Sequence, residues 1–325
     1  MDLLESYRTR LLPKELAFSE AEYRARIARV REAMSAQGLD LLLLHHLPSV
    51  CYLTGYQTPV SGWYTCLVLP LEGEVALQVC DFEVGLALIH TTVERILSVR
   101  WNRMDDLATQ LVELLREGGV DGKRLGIESR RTGLNAHAYQ LLRDRFPRAH
   151  FTDASDLVPR VRAVKSPAEL ECLRQAGRMS VAGMAAAIGA IRPGVTENAI
   201  AAAAAGTMID AGSEFFCTDP WVRAGRTAHD VARAAAKGLA GVDPEVYLSE
   251  YHAYPVGLGF PPEWPEDSIW IVEGSDEVLR SGMTFHGVRS LRIPGLMAAG
   301  FSETIAVTET GCEILTPHRR ELAVV

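Results

Sequence analysis

Two residues near the carboxyl terminus have side chains suited to acid–base chemistry. His286 follows the run Ser281-Gly282-Met283-Thr284-Phe285, and Glu303 lies within Gly300-Phe301-Ser302-Glu303-Thr304-Ile305. Both runs are typical of strands, and apolar residues surround both polar side chains. A desolvated imidazole or carboxylate costs several kcal/mol unless it is paired or used. We therefore expect His286 and Glu303 to point inward together and to perform general acid–base catalysis. The alternatives are a satisfied core histidine and a carboxylate that caps local backbone.

The composition is that of a globular protein and excludes several classes of partner. The chain has 325 residues, which suits two domains better than one. Its net charge of −8 provides no basic surface for nucleic acid. The six cysteines show no metal-ligand spacing. The amino terminus does not resemble a signal peptide, and no apolar run reaches membrane-spanning length. We expect a cytoplasmic protein with no membrane or nucleic-acid partner.

The first half of the chain alternates between helix and strand patterns. A helix is predicted to begin at Ser19 and end near Gly38, followed by a buried strand over Leu39–Leu44. A loop is predicted to begin at Tyr52. Two apolar runs, Cys66–Pro70 and Val75–Cys80, flank a turn and predict a hairpin. Helices are expected over 105–117 and 135–146, with a strand at 124–127 between them. This alternation predicts an α/β domain over residues 1–158.

The second half places helices first and strands later. Ser166-Pro167-Ala168-Glu169 combines an N-cap, proline at the first helical position and a glutamate, and predicts a helix to about Ile191. A second helix begins at Thr196 and ends near Gly212. A Gly-turn, Thr-cap pattern at 193–200 is repeated at 224–231. From Tyr254 onward the chain has strand-like runs with Gly and Pro turns, so an α+β domain is expected over residues 159–325.

Several motifs, in this order, resemble the creatinase, aminopeptidase P and prolidase superfamily. Three conspicuous ones are Tyr52-Leu53-Thr54-Gly55-Tyr56, Val161-Arg162-Ala163-Val164-Lys165-Ser166-Pro167 and Val307-Thr308-Glu309-Thr310-Gly311-Cys312. The resemblance covers nearly the whole chain. It implies a creatinase-type N-terminal α/β domain followed by an α+β "pita-bread" catalytic domain. Within the superfamily, Tyr254–Glu266 and Met283–His286 look most like the ectoine hydrolase branch.

The resemblance implies an enzyme that cleaves C–N bonds. Peptidases of the superfamily use two metal ions held by two Asp, one His and two Glu. The histidine corresponds here to Tyr254, the first glutamate to His286 and the second to Glu303. The two aspartates belong to a central hairpin, for which this chain has no room because Gly194 and Gly225 are only 31 residues apart. We therefore expect a truncated catalytic domain and no metal cofactor, since most of the expected ligands of a divalent metal are absent.

Five further residues are candidates for binding a small-molecule substrate. Tyr254 replaces a family ligand, while Trp264 and Glu266 belong to a Pro-rich loop suited to forming the wall of a pocket. Tyr56 and Trp63 flank a loop that, by the resemblance, closes the active site of the partner subunit. A homodimer is therefore expected, and simple aromatic packing is the alternative for this loop. His45 and His46, which follow the first strand, could also approach a ligand.

Three functions remain open at this point. The first is a metal-independent hydrolase of a small amide or amidine, acting through His286 and Glu303. The second is a catalytically silent descendant that serves as a dimeric binding or structural protein. The third is an Xaa-Pro metallopeptidase with replacement ligands.

Overall fold

The computed structural model describes most of the chain as two compact units. The described residues are 13–60, 62–100, 104–131, 134, 136–217, 247–248, 251–261, 263–293 and 297–318. The division between the units falls between Arg162 and Ala163. Each unit is described by itself below.

The first unit contains six described α-helices. They are α1 (Glu20–Ala36), α2 (Leu47–Thr54), α3 (Val84–His90), α4 (Met104–Glu117), α5 (Ala136–Arg145) and α6 (Leu157–Arg162), with a short 3-10 helix at Asp81–Glu83 before α3. Helix α1 begins where the sequence predicted, because the Ser19 side chain accepts a hydrogen bond from the backbone N–H of Glu22.

A six-stranded mixed sheet runs through this unit. Its strands are β1 (Leu41–Leu44), β2 (Thr65–Pro70), β3 (Ala76–Cys80), β4 (Arg95–Val99), β5 (Arg124–Ile127) and β6 (His150–Asp153). Their spatial order is β4-β3-β2-β1-β5-β6, with β2 antiparallel to both of its neighbours. Every residue of β1 is buried, as expected for a central strand covered on both faces. The predicted hairpin corresponds to β2 and β3.

One local prediction for this unit is wrong. The segment from Tyr52 was expected to begin a loop, but residues up to Thr54 belong to α2, all of whose residues are buried. The helix ends at Gly55, whose φ of 86° lies in the left-handed region. A Cβ atom at Gly55 would lie 2.5 Å from the carbonyl oxygen of His90, so the close approach of this backbone also requires glycine. The loop therefore starts after Gly55.

The second unit places two long helices before an antiparallel sheet. The helices are α7 (Pro167–Ala190) and α8 (Glu197–Asp210). Helix α7 begins with a full capping box formed by Ser166 and Glu169, as the sequence predicted. The strands are β7 (Tyr247–Leu248), β8 (Tyr251–Pro255), β9 (Ile271–Val272), β10 (Thr284–Ile293), β11 (Met297–Val307) and β12 (Cys312–Ile314). The predicted helix repeat at 224–231 lies outside the described residues.

The antiparallel sheet has the order β12-β11-β10-β8-β9, with β7 also paired to β10. Its longest ladder joins β10 to β11 without a register shift. One face of the sheet carries an apolar cluster of buried residues that includes Ala253, Met283 and Phe285. This cluster fixes which side chains of β10 and β11 point into the core and which point away from it. No helix in the described part of the chain has the length and apolar character needed to cross a bilayer.

Candidate active site

Three side chains from adjacent strands lie in one row across the second sheet. The strand register places His286 of β10 directly opposite Tyr254 of β8 on one side and Thr304 of β11 on the other. Directly opposed residues of antiparallel strands share a face of the sheet. We call Tyr254, His286 and Thr304 the polar row. All three are half-buried, so the row combines partial desolvation with access for a ligand.

The imidazole of His286 is held at one nitrogen only. Its Nδ1 lies 2.8 Å from Oγ1 of Thr304. Among the described residues, its Nε2 has no hydrogen-bond partner. Burial lowers the pKa of His286, which favours the neutral imidazole near pH 7. When the Nδ1–H group donates a hydrogen bond to Oγ1 of Thr304, Nε2 presents a lone pair and can accept a proton from a reacting group.

Thr304 is itself fixed by the neighbouring edge of the sheet. Its backbone N–H donates to Oγ1 of Thr316 at 2.8 Å, and its carbonyl accepts from the N–H of Leu315, also at 2.8 Å. The hydroxyl that orients the imidazole therefore sits on backbone that cannot shift without breaking two further hydrogen bonds. The geometry of His286 is preorganised in this sense.

Aromatic rings extend the polar row on the side of β8. The rings of Tyr254 and His286 have centroids 5.3 Å apart, and those of Tyr254 and Trp270 lie 6.0 Å apart. Trp270 was missed by the sequence analysis. The signal available was the alternation in Ile269-Trp270-Ile271, where Ile269 is buried and Trp270 must point to the other side. Tyr254, predicted as a substrate-binding residue, thus has an aromatic neighbour on each side.

Glu303 does not point to the same face as His286. The register pairs Glu303 with Gly287, one residue beyond His286, and side chains alternate along a strand. Glu303 therefore lies on the face that carries Phe285 and its apolar cluster. The expectation that His286 and Glu303 converge as an acid–base pair is wrong in this geometry. The physical reason is that a difference of one residue in pairing reverses the face of a side chain.

Glu266 is buried in an ion pair. Its Oε2 lies 2.5 Å from Nζ of Lys165, and the two side chains are only 4% and 3% exposed. This placement gives Glu266 a structural partner and contradicts its expected role in direct contact with a substrate. Trp264, in the same loop, is 45% exposed and so remains available to a ligand. Its role in substrate binding stays a prediction.

The two aromatic candidates of the first unit differ in exposure. Tyr56 is fully buried, and its hydroxyl donates to Oε2 of Glu83 at 3.2 Å. Burial and the Glu83 carboxylate raise the pKa of Tyr56, so it is a neutral core residue. This contradicts the expectation that Tyr56 contacts a substrate. Trp63 is 36% exposed and packs edge-on against Phe82 with centroids 4.9 Å apart, so its predicted role remains open.

His45 and His46 belong to the buried core of the first unit. The backbone N–H groups of both residues donate to Oε2 of Glu128, at 2.7 and 2.8 Å. Nδ1 of His45 lies 3.0 Å from the carbonyl oxygen of Thr65. Burial lowers the pKa of His45 to about 4 and raises that of Glu128. The two histidines thus stabilise the junction between β1 and α2 and are not accessible to a ligand.

The polar row does not fit a pair of metal ions. Such a centre needs several oxygen and nitrogen donors that converge, with carboxylates bridging the cations. The row provides an imidazole, a phenol and a hydroxyl, whereas the carboxylate of Glu303 points to the opposite face. Within the described ranges, no group of three or more His, Cys, Asp or Glu side chains is arranged to hold a metal ion. The described donor set is therefore unsuited to the dinuclear chemistry that the resemblance implies.

Two family models match consecutive parts of the chain. The creatinase/prolidase N-terminal domain matches residues 26–164, and metallopeptidase family M24 matches residues 171–228. The ectoine hydrolase of Halomonas elongata is 26% identical over 97% of this chain and 100% of its own length. That alignment extends over 412 positions, although the chain has only 325 residues, so the relative contains segments that this chain lacks. The inferred absence of the central hairpin from this chain predicts such a difference in length.

Solved structures show the same fold. The dipeptidase PepE of Mycobacterium ulcerans superimposes with a TM-score of 0.71 at 21% identity, covering 95% of this chain and 99% of that one. The prolidase of Pyrococcus horikoshii OT3 gives a TM-score of 0.67 at 20% identity, covering 92% and 99% of the two chains. These similarities establish a creatinase-type N-terminal domain followed by a pita-bread domain.

Proposed function

Because this chain belongs to the creatinase, aminopeptidase P and prolidase superfamily, we propose that it is a hydrolase that cleaves a C–N bond of a small amide or amidine. His286 is the general base and acid, and the reaction proceeds without a metal ion. The observation that carries this proposal is the half-buried imidazole of His286, whose Nδ1 contacts Oγ1 of Thr304 while Nε2 has no hydrogen-bond partner among the described residues. The match to an ectoine hydrolase supports a small nitrogenous substrate.

The proposed reaction needs one water molecule and one proton carrier. Nε2 of His286 accepts a proton from water as the water oxygen forms a bond to the carbon of the amide or amidine. The C–N bond then breaks, and the imidazolium returns the proton to the departing nitrogen. The lowered pKa of His286 keeps the imidazole neutral at the start of this cycle. Tyr254 and Trp270 provide aromatic surface beside the reacting group, and Trp264 lies in the adjacent loop.

Substrate screening tests the proposed function. Purified protein treated with a chelator is incubated with ectoine, creatine and an Xaa-Pro dipeptide, and release of product is followed by chromatography. The proposal predicts turnover of a small amide or amidine by the wild-type chain and by His318→Ala, whose imidazole is exposed in the same unit. His286→Ala loses at least a hundredfold in kcat, because general acid–base catalysis contributes factors of about 10²–10⁴. Equal turnover by His286→Ala and wild type would remove His286 from the mechanism.

A catalytically silent binding protein is the second candidate. It is favoured by the donor set of the polar row, which differs at several positions from the ligands that the family's peptidases use. No turnover of any substrate, together with saturable binding of one of them, would support it. A metallopeptidase with replacement ligands is the third candidate, and turnover of the Xaa-Pro dipeptide only when divalent metal is supplied would identify it.

We further propose that the chain acts in the cytoplasm as a homodimer. The motivating observation is the exposed apolar surface of helix α7, where Met184 is 56% and Ile188 is 43% exposed. The two side chains lie four residues apart and so share one side of the helix, and apolar residues grouped in this way are candidates for a contact between proteins.

A further inference from the structure

A buried ion pair lies beneath the loop that connects Tyr254 with Trp270. Lys165 and Glu266 are separated by 101 positions in the sequence, yet Nζ and Oε2 lie 2.5 Å apart. Nζ of Lys165 also donates to the carbonyl oxygen of Ala163 at 3.3 Å. A buried ion pair contributes little net stability relative to apolar packing of similar volume, and in some proteins such a pair fixes one geometry.

Lys165 is attached to the beginning of the strand that carries His286. Its backbone N–H donates to the carbonyl oxygen of Gly282 at 3.0 Å, and Val164 forms a β-bridge with Met283. Gly282 has a φ of +90°, and a Cβ atom there would lie 2.9 Å from the carbonyl oxygen of Lys165. This close contact requires glycine and leaves Lys165 no freedom relative to the start of β10.

Glu266 is attached to the other end of the polar row. Its backbone N–H donates to the carbonyl oxygen of Pro255 at 2.8 Å, which closes the base of the loop 256–265. Pro255 directly follows Tyr254, and Trp270 lies four residues after Glu266. The first residue of the loop, Val256, is anchored as well, because the Thr284 hydroxyl donates to its carbonyl oxygen at 2.5 Å. The ion pair therefore connects the strand of His286 with the segment that leads to both aromatic rings.

Gly257 packs directly against this ion pair. A Cβ atom at Gly257 would lie 2.1 Å from Oε1 of Glu266 and 3.0 Å from Cε of Lys165. The loop backbone thus sits on the carboxylate without room for any side chain, so the position of the carboxylate sets the position of the loop.

We propose that Lys165 and Glu266 are positioning residues for the polar row. They act through Tyr254 and Trp270 by holding the loop 256–265 against the start of β10, and Gly257 is the contact through which they do so. This inference rests on the proposed function in treating the polar row as the site. It differs from a purely structural role, which would change the stability of the fold without changing the surroundings of the tryptophans beside the row.

The test follows the tryptophans directly and needs no substrate. The full chain contains five tryptophans, and the protein is labelled with 5-fluorotryptophan for fluorine NMR. Trp63→Phe, Trp264→Phe and Trp270→Phe assign the corresponding signals. Glu266→Gln, which keeps the side-chain volume and removes the charge, is expected to shift or broaden the signals of Trp264 and Trp270. The signal of Trp63, in the first unit, serves as the internal reference and stays unchanged.

Two matched variants provide the controls. Gly257→Ala is expected to reproduce the changes at Trp264 and Trp270, whereas Gly206→Ala leaves them unchanged, because a Cβ atom at Gly206 meets nothing within 4 Å. Glu313→Gln removes one partner of the half-exposed Arg174–Glu313 ion pair in the same unit and is also expected to leave both signals in place.

Unaltered Trp264 and Trp270 signals in folded Glu266→Gln and Gly257→Ala would overturn the proposal, even if both variants melted at lower temperature. If Glu266→Gln fails to fold, Gly257→Ala and the double replacement Lys165→Met with Glu266→Leu decide the same point, since the latter leaves no unpaired buried charge. If the polar row proves catalytically silent, the tryptophan signals still answer this question, so failure of the proposed function and failure of this inference remain separate results. With a substrate in hand, Glu266→Gln is expected to raise KM at least threefold while kcat changes less.

Discussion

Nδ1 of His286 and Oγ1 of Thr304 lie 2.8 Å apart across β10 and β11, directly opposite each other in the strand register. This contact fixes the orientation of the imidazole and leaves Nε2 facing away from β11. The neighbouring Glu303 pairs with Gly287 and not with His286, so its side chain projects from the other face of the sheet. In a mechanism that uses His286, the residue that orients the imidazole is therefore Thr304 and not Glu303.

The first prediction concerns Thr304→Val, which keeps the shape of the side chain and removes the hydroxyl. Loss of one hydrogen bond worth about 1 kcal/mol is expected to lower kcat roughly fivefold to tenfold. The pH profile of kcat/KM should shift as well, because the surroundings of the imidazole change. Thr308→Val, near the end of the same strand, is the control and should behave as wild type. Identical kinetics for the two variants would show that the Thr304 hydroxyl has no part in orienting His286.

Glu303→Gln provides the second prediction. Since Glu303 points to the face opposite the polar row, its replacement is expected to change kcat by less than about twofold, well below the factors of 10²–10⁴ attributed to a general base. Thermal unfolding of the same variant reports any structural contribution of the carboxylate. A loss of kcat comparable to that of His286→Ala would restore Glu303 as a catalytic group and contradict the strand register.

The third prediction concerns the dependence of stability on pH in the first unit. Burial lowers the pKa of His45 to about 4 in the folded chain, against 6.5 as its ordinary value. The unfolded chain therefore binds the proton first, and stability that is fully present above pH 6.5 is lost as the pH falls toward 4. Between pH 6.5 and 5 this loss amounts to about 2 kcal/mol.

His45→Asn tests whether the loss of stability at low pH comes from His45. The asparagine side chain does not titrate, but its amide can still donate to the carbonyl oxygen of Thr65. The carboxylate of Glu128, which accepts a hydrogen bond from the backbone N–H of His45, has a raised pKa. Its protonation therefore increases the stability of the folded chain as the pH falls, opposite to the effect of His45, but Glu128 is present in both proteins. Urea unfolding at pH 7 and pH 5 should show a smaller loss of stability in His45→Asn than in wild type. Equal losses in the two proteins would assign the acid sensitivity to other groups.

The fourth prediction concerns the homodimer. Met184 and Ile188 lie four residues apart on α7 and so share one side of the helix. Met184→Glu combined with Ile188→Glu is expected to convert a dimer into monomers in sedimentation velocity, because burying the two added carboxylates is costly. Gln175→Glu, exposed on the same helix, is the matched control and should remain dimeric. A stable wild-type monomer at micromolar concentration would contradict the proposal.

Local signals in the sequence predicted much of the fold. Ser166 and Glu169 were identified as a helix start from their spacing alone, and they form a capping box. The buried strand at β1 and the hairpin of β2 and β3 were likewise visible as apolar runs with a turn between them. Each of these features depends on residues close together in the chain.

The arrangement of the site depended on distant pairings that the sequence does not display. Nothing local indicates that His286 pairs with Thr304 and not with Glu303, because this choice is set by the register of a whole ladder. The pairing of Lys165 with Glu266 spans 101 positions, and only the folded chain reveals it. Tyr56 does follow the end of α2, but the local sequence does not reveal that its side chain is buried against Glu83.

The central claim is that the polar row hydrolyses a C–N bond through His286 without metal ions. The most direct test measures turnover of the best substrate after exhaustive chelation, with metal content determined on the same sample. We predict that the chelated wild-type chain retains its full kcat with far less than one metal ion per chain, and that His286→Ala loses at least a hundredfold. Activity that disappears on chelation and returns on addition of a divalent cation would contradict this account.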